Sequence, residues 1–200
     1  MIFMNETLTQ PELGQLYVEM VAPLGFQQCL SHGYIHDDDA LAMHQVISDQ
    51  KPDTALISLG LCGVILGNHI LQKHSTHTEL SILGTELKYF SIDIVERYGR
   101  AWINAKEYEK NDRDLEEKLL LESADNLNAF GSIVQEIHEL CEETNPLASN
   151  MGKILEYQAY AQANLAESYI DILQQEGKIK PNFTPDPIPV PADLHPQDRV

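Results

Sequence analysis

The apolar residues of this chain recur at intervals of three and four, which is the spacing of one helical face. The pattern begins behind Thr9 and Glu12, which match a capping box, with Pro11 in the first turn, where its missing N–H costs no hydrogen bond. Alternating, strand-like patterns do not compete with these helical ones. The sequence therefore predicts an all-α protein, whose first helical face carries Leu13, Leu16, Tyr17, Met20 and Val21.

Helix start and stop signals divide residues 8–177 into about six or seven helices. A second capping box at Thr76 and Glu79 opens the longest amphipathic stretch, and Gly177 closes the last helix. We expect one helical bundle, although successive helical hairpins would also suit an α-solenoid. After the first helix, the predicted helices run from Ala40 to about Ser48, from Thr54 to Leu71, from Thr76 towards Trp102, from Leu115 to about Asn128, from Ser132 to about Glu143, and from Asn150 to about Glu176.

The segment Thr54–Leu71 contains no charged residue. It just reaches the length of a membrane span, and its three glycines would allow close helix contacts. However, Asn68 and His69 lie inside it, and the rest of the chain is strongly acidic. A central helix buried on all sides of the bundle is therefore our main prediction. A membrane-associated helical subunit is an alternative.

The end of the chain differs in composition from the rest. Proline lacks the backbone donor that helices and central strands need. Residues 178–200 are therefore predicted to form an extended or disordered arm, separate from the helical domain 8–177. Six of the ten prolines of the chain fall in this arm, namely Pro181, Pro185, Pro187, Pro189, Pro191 and Pro196.

The charge of the chain narrows the classes of partner. There are 31 acidic residues against 13 basic ones, a formal net charge of -18. No lysine or arginine precedes Lys51, and Lys153 is the only base between Leu119 and Gly177. Such a field repels phosphate backbones and anionic membrane surfaces, and it attracts basic proteins. We expect a basic protein partner rather than nucleic acid or a membrane, and homo-oligomerisation stays open.

The cysteines bear on the compartment. Cys29, Cys62 and Cys141 are odd in number and lie among apolar neighbours, as buried free thiols do in a reducing environment. The N-terminus has no basic stretch followed by a long apolar run, which a secretory signal would need. The sequence therefore predicts a cytoplasmic protein.

Histidines and acids suggest a metal site as an alternative function. Imidazole and carboxylate groups together bind zinc, iron or manganese. His32, His36 and Asp37 would be the ligands of a small metal-dependent hydrolase or oxidoreductase. A second group of histidines comprises His69, His74 and His77.

Two acidic clusters are the candidate partner-binding sites. One is Asp37, Asp38 and Asp39. The second lies at the end of a predicted helix and consists of Glu136, Glu139, Glu142 and Glu143. Acids at a helix end of this kind oppose the helix dipole, and a binding function would explain their presence.

Nucleophile elbows and phosphate-binding loops are missing from the sequence. We therefore expect a non-catalytic acidic protein without a cofactor. It would be either an immunity or inhibitor protein or a secretion-system adaptor or chaperone.

Overall fold

A computed structural model describes residues 7–108 and 113–178, and the side chains of residues 7–105 and 118–178. Throughout these ranges the secondary structure is helical, which confirms the predicted all-α bundle. The predicted Pro-rich arm lies almost entirely outside the described residues. The α-helices are α1 (Gln10–Leu16), α2 (Phe26–His32), α3 (Asp37–Ser48), α4 (Pro52–Lys73), α5 (Thr78–Tyr108), α6 (Arg113–Cys141) and α7 (Pro146–Gln175).

Helix α4 is the centre of the bundle, as the sequence predicts. It pairs with α5, while α6 pairs with α7, and the two helical hairpins pack together through α4. Leu56, Leu59, Leu66 and Ile70 of α4 are completely buried. Among the described helices, α4 is the only one long and apolar enough to cross a membrane, and 61% of its most apolar stretch is buried inside the protein.

Glycines set the distance between α4 and α5. A Cβ atom added to Gly67 would lie 2.8 Å from the carbonyl oxygen of Gly84 on α5. Real Cβ atoms do not approach a backbone oxygen so closely. The two helices can therefore pack at this distance only because both positions lack a side chain.

The N-terminal layer contains one helix that the sequence analysis missed. The capping box is present, since the Glu12 carboxylate accepts a hydrogen bond from the Thr9 N–H at 2.6 Å. After Leu24, however, the chain enters α2, which lies between two left-handed glycines, Gly25 and Gly33. The two glycines are the boundaries of this short helix, whose Phe26 and Cys29 reach the core.

Helix α6 is continuous where two helices were predicted. The Ser132 hydroxyl donates to the carbonyl oxygen of Asn128 at 3.1 Å, so it bonds within the helix instead of capping a new one. The apolar face passes through this point without a break, because Phe130 and Val134 are both buried. The prediction of a helix boundary at Ser132 was therefore wrong.

Two other helix starts differ from their predicted positions. Helix α5 is capped by His77, whose ring Nδ1 accepts from the N–H of Leu80 at 3.3 Å, and not by Thr76. Helix α7 begins at Pro146, earlier than predicted, because the Asn145 side chain accepts from the N–H of Ala148 at 3.1 Å.

Candidate binding surface

Buried glutamines hold α3 against α7. The Gln158 amide donates to the carbonyl oxygen of His44 at 3.0 Å and to its ring Nδ1 at 2.9 Å. One turn later, the Gln162 amide donates to the carbonyl oxygen of Ile47 at 2.9 Å. The Ile47 oxygen also accepts from the N–H of Gln50 at 3.1 Å, so each glutamine adds a bond from α7 to a backbone carbonyl group near the end of α3. Because successive residues of α3 face successive residues of α7, the two helices run in the same direction.

A shallow groove of about 580 Å³ opens between α3 and α7. Leu41 and Tyr157 stand at its rim with exposed fractions of 66% and 64%. The ring of His44 packs edge-on against Tyr157, with 5.1 Å between the ring centroids. Burial lowers the pKa of His44, so its Nδ1 is a neutral acceptor for the Gln158 amide at pH 7. The other lining residues are Gln45, Ser48, Lys153, Ile154 and Gln158.

Lys153 connects this groove to the end of α6. Its ammonium nitrogen lies 3.3 Å from a carboxylate oxygen of Glu142, and its side chain lines the groove together with Leu41. Asp37 and Asp38 precede Leu41 by about one helical turn. The two predicted acidic clusters are thus placed at the same end of the bundle. We call this end of the bundle the acidic end, and its residues are Asp37, Asp38, Glu136, Glu139, Glu142 and Glu143.

The aspartates of the first cluster have different surroundings. Asp37 and Asp38 are exposed in the first turn of α3, where the helix dipole favours negative charge. Asp39 is half-buried, and its carboxylate accepts from the N–H of His36 at 3.1 Å. Asp39 therefore has a structural role as part of a capping box, which is why we leave it out of the acidic end.

The glutamates of the second cluster are all exposed. Glu136 and Glu139 are three residues apart and share the outer face of α6, and Glu143 lies in the turn that follows the helix. Glu139 accepts a hydrogen bond from the Gln135 amide at 3.1 Å, and Glu142 pairs with Lys153. Glu136 and Glu143, like Asp37 and Asp38, form no ion pair with the side chains that the structure describes.

The residues of the metal-site alternative belong to different elements. His32 ends α2, and His36 lies just before α3. Tyr34 packs between them, with ring centroids 5.9 Å and 4.7 Å from those of His32 and His36. Within the described ranges, no group of three or more histidine, cysteine, aspartate or glutamate side chains is arranged to hold a metal ion. The structure therefore does not assemble His32, His36 and Asp37 into a metal site.

Two histidines of the second group link the C-terminal end of α4 to the loop between α6 and α7 at the acidic end. The Asn145 amide nitrogen lies 3.2 Å from Nε2 of both His69 and His74. Burial is the main reason that the pKa values of both histidines are lowered, so that the neutral rings accept these hydrogen bonds. His77 is separate from this cluster, because its ring caps α5.

His138 contacts an acid on the neighbouring helix. Its Nε2 lies 2.7 Å from a carboxylate oxygen of Glu156 on α7. This contact joins α6 to α7 close to the acidic end.

Lys153, Leu41, His44 and Tyr157 are candidate functional residues that the sequence analysis missed. One signal was present in the sequence: Gln158 and Gln162 are four residues apart on the apolar face of a predicted helix. Buried amides need partners, so this pair indicates a second helix packed on that face. Nothing in the pattern identifies α3 as that helix.

Comparison with known proteins gives no further assignment. No family model matches the chain, and neither curated proteins nor solved structures show significant similarity to it.

Proposed function

We propose that this protein is a non-catalytic binding protein whose acidic end receives a basic and partly apolar segment of another protein. The observation that supports this most strongly is that two acidic clusters, about a hundred residues apart in sequence, lie at the same end of the bundle. Lys153 pairs with Glu142 and leaves the exposed carboxylates of Asp37, Asp38, Glu136 and Glu143 for a partner.

The charge and the groove supply different parts of the recognition. The acidic field steers a basic partner during encounter, which raises the association rate more than the final affinity. The groove beside it offers Leu41 and Tyr157, both largely exposed, as contacts for an apolar side chain. A segment that carries lysine or arginine next to a leucine or an aromatic residue matches both features.

Two cytoplasmic roles require this surface. An inhibitor or immunity protein would use the acidic end to cover a basic active site. An adaptor or secretion chaperone would use it to hold a basic segment of its client. Both roles involve the same contacts, so they share one test.

The test uses NMR with an amphipathic probe peptide of about 14 residues, roughly four helical turns, with lysines on one side and leucines on the other. We expect the peptide to shift the amide signals of Leu41, Lys153, Tyr157 and the last turns of α6. A peptide with glutamate in place of lysine is the matched control and should cause no shifts. Shifts spread evenly over the molecule, or an equal response to both peptides, would contradict the proposal.

Salt provides a second measurement with the same probe. Screening shortens the range of the acidic field, so the association rate should fall steeply between about 50 and 300 mM salt. An association rate that is indifferent to salt would show that the acidic end does not steer the partner.

A further inference from the structure

Helix α7 has an apolar outer face that no described part of the chain covers. Tyr157, Leu165, Tyr169 and Ile172 are exposed by 64%, 38%, 41% and 49%. With exposed Ala161 between them, these residues fall within about a third of the helix circumference. We call these five residues the outer face of α7. Single exposed apolar residues are ordinary, but a continuous row along five turns indicates a contact.

The chain leaves α7 through a turn that leads away from the helix axis. Gly177 has a left-handed conformation, with φ of 69°. The N–H of Lys178 donates to the carbonyl oxygen of Leu173 at 2.9 Å, and that of Gly177 donates to the oxygen of Gln174 at 3.0 Å. These two bonds form a Schellman motif, which ends the helix and redirects the chain. Residues 179–200 continue from this turn.

The length and spacing of that segment suit the outer face of α7. In a polyproline II conformation each residue advances about 3.1 Å, against about 1.5 Å in an α-helix. Tyr169 and Tyr157 are therefore about 18 Å apart along α7, and Pro185 and Pro191 would be about 19 Å apart. A polyproline II helix has three residues per turn, so Pro185, Ile188 and Pro191 would share one face of the segment and could all meet the outer face of α7.

The chemistry of the two surfaces also matches. Polyproline segments bind to aromatic-lined surfaces, because their preformed conformation loses little entropy on binding. The outer face of α7 has a tyrosine at each end of the matching stretch. The seven residues between Gly177 and Pro185 are more than enough to turn back and reach Tyr169.

We propose that the C-terminal segment 181–191 folds back on its own chain and docks antiparallel along the outer face of α7. In this arrangement Pro185 lies at Tyr169, Ile188 between Leu165 and Ala161, and Pro191 at Tyr157. The inference does not depend on the proposed function, because it concerns a contact within one chain. Since Tyr157 is also the rim of the groove, a partner that contacts Tyr157 would displace this end of the docked segment.

Disulfide trapping in the full-length chain tests this arrangement. The variant Ala161→Cys/Ile188→Cys places one thiol on the outer face of α7 and the other at a segment position predicted to face it. A disulfide requires Cα atoms within about 7 Å of each other. The three native cysteines are buried, and burial raises the pKa of Cys141 to about 11, so they react slowly.

Glu167→Cys/Ile188→Cys is the matched control. Glu167 is exposed on another side of α7 and is nearer to the end of the helix. An undocked segment would therefore reach the Glu167→Cys thiol at least as easily as the Ala161→Cys thiol. We expect the outer-face pair to form an intramolecular disulfide about tenfold faster than the control pair, because docking raises the local concentration of the second thiol.

Three outcomes would overturn the proposal. Equal rates for both pairs would show that the segment samples the surface freely. The absence of any disulfide would show that it lies elsewhere. A disulfide that joins two chains, seen as a covalent dimer, would show that a second copy covers the outer face instead.

Truncation gives an independent readout. A chain that ends at Lys178 should keep its helices and lose only a few degrees in Tm. In the truncated protein, amide signals along the outer face of α7 should shift in NMR spectra while those of α4 stay in place. Unchanged signals at Leu165 and Tyr169 would contradict docking.

Discussion

Carboxylates have different surroundings at the contact between α5 and α6 and at the acidic end. At the first, Glu122 is buried and pairs with Arg97 and, at 3.8 Å, with Lys118. At the acidic end, exposed Glu142 pairs with Lys153, whereas Asp37, Asp38, Glu136 and Glu143 form no ion pair with the described side chains. The bases thus neutralise a buried carboxylate at the first place and leave most of the exposed carboxylates unpaired at the second.

This difference separates acids that stabilise the fold from acids that do not. Removing one partner of a buried ion pair leaves a desolvated charge, whereas exposed pairs contribute little to stability. Glu139, Glu142 and Glu143 also lie in or just after the last turn of α6, where they oppose the helix dipole. The carboxylates of the acidic end therefore do not stabilise the fold, which is consistent with a role in binding.

The largest expected effect comes from placing a carboxylate in the core with no base nearby. Leu59 is completely buried in α4. Leu59→Asp should abolish soluble folded protein, because a buried unpaired charge costs several kcal/mol against a total stability of about 5–15 kcal/mol. Circular dichroism and soluble yield measure this. Gln72→Asp, at an exposed position of the same helix, is the control and should fold normally.

A smaller loss is expected when the buried carboxylate loses its main partner. Arg97→Met should lower the free energy of unfolding by about 2–3 kcal/mol, since Lys118 still offsets part of the charge of Glu122. Denaturant unfolding measures the loss. The double variant Arg97→Met/Glu122→Leu should recover most of it, and a double variant as unstable as the single one would refute the assigned role of the pair.

Acid should weaken the histidine cluster at the acidic end. The pKa values of His69 and His74 are lowered in the folded protein, so the unfolded chain binds protons first as the pH falls. Stability is therefore complete above about pH 6.5, the ordinary histidine value, and declines as the pH falls further towards the folded values. Thermal unfolding between pH 7.5 and about 5 measures this decline. His74→Gln can still accept from Asn145 but cannot titrate, and it should flatten the decline; an equally steep decline would exclude His74.

The smallest effect on stability is expected at the acidic end itself. Glu136→Gln/Glu139→Gln/Glu143→Gln should leave the free energy of unfolding within about 0.5 kcal/mol of the original, with any change stabilising, because the dipole conflict is relieved. Denaturant unfolding checks this. A loss of more than about 1 kcal/mol would mean that these carboxylates have structural partners.

The core of this fold could be predicted from the sequence, and its outer layer could not. The uncharged run Thr54–Leu71 identifies the central helix, because only a buried helix suits that composition in a soluble bundle. The helix boundary predicted at Ser132 was wrong, and the helix that follows Gly25 was missed. At each residue the local sequence is equally suited to a helix end and to a helix interior or start. Packing decides between these, as Phe130 shows for α6.

Only part of the acidic end could be predicted from the sequence. Both clusters follow from composition and helix position, and each was predicted separately. Their meeting depends on the contact between α3 and α7, which is made by the Gln158 and Gln162 side chains bonding to backbone carbonyls. Every helix end has backbone carbonyl groups, so no pattern in the sequence identifies α3 as the helix that packs on α7.

The central claim is that the exposed carboxylates of the acidic end are for binding while the remaining acids are not. The direct test compares association rates of the lysine–leucine probe peptide at low salt. The triple variant Glu136→Gln/Glu139→Gln/Glu143→Gln should associate about tenfold more slowly than the original protein. The control triple is Asp125→Asn/Glu167→Gln/Asp171→Asn, which removes the same charge from exposed positions at the opposite end of the α6–α7 hairpin. The control should change the association rate less than about twofold. An equal slowing in both triples would contradict the claim.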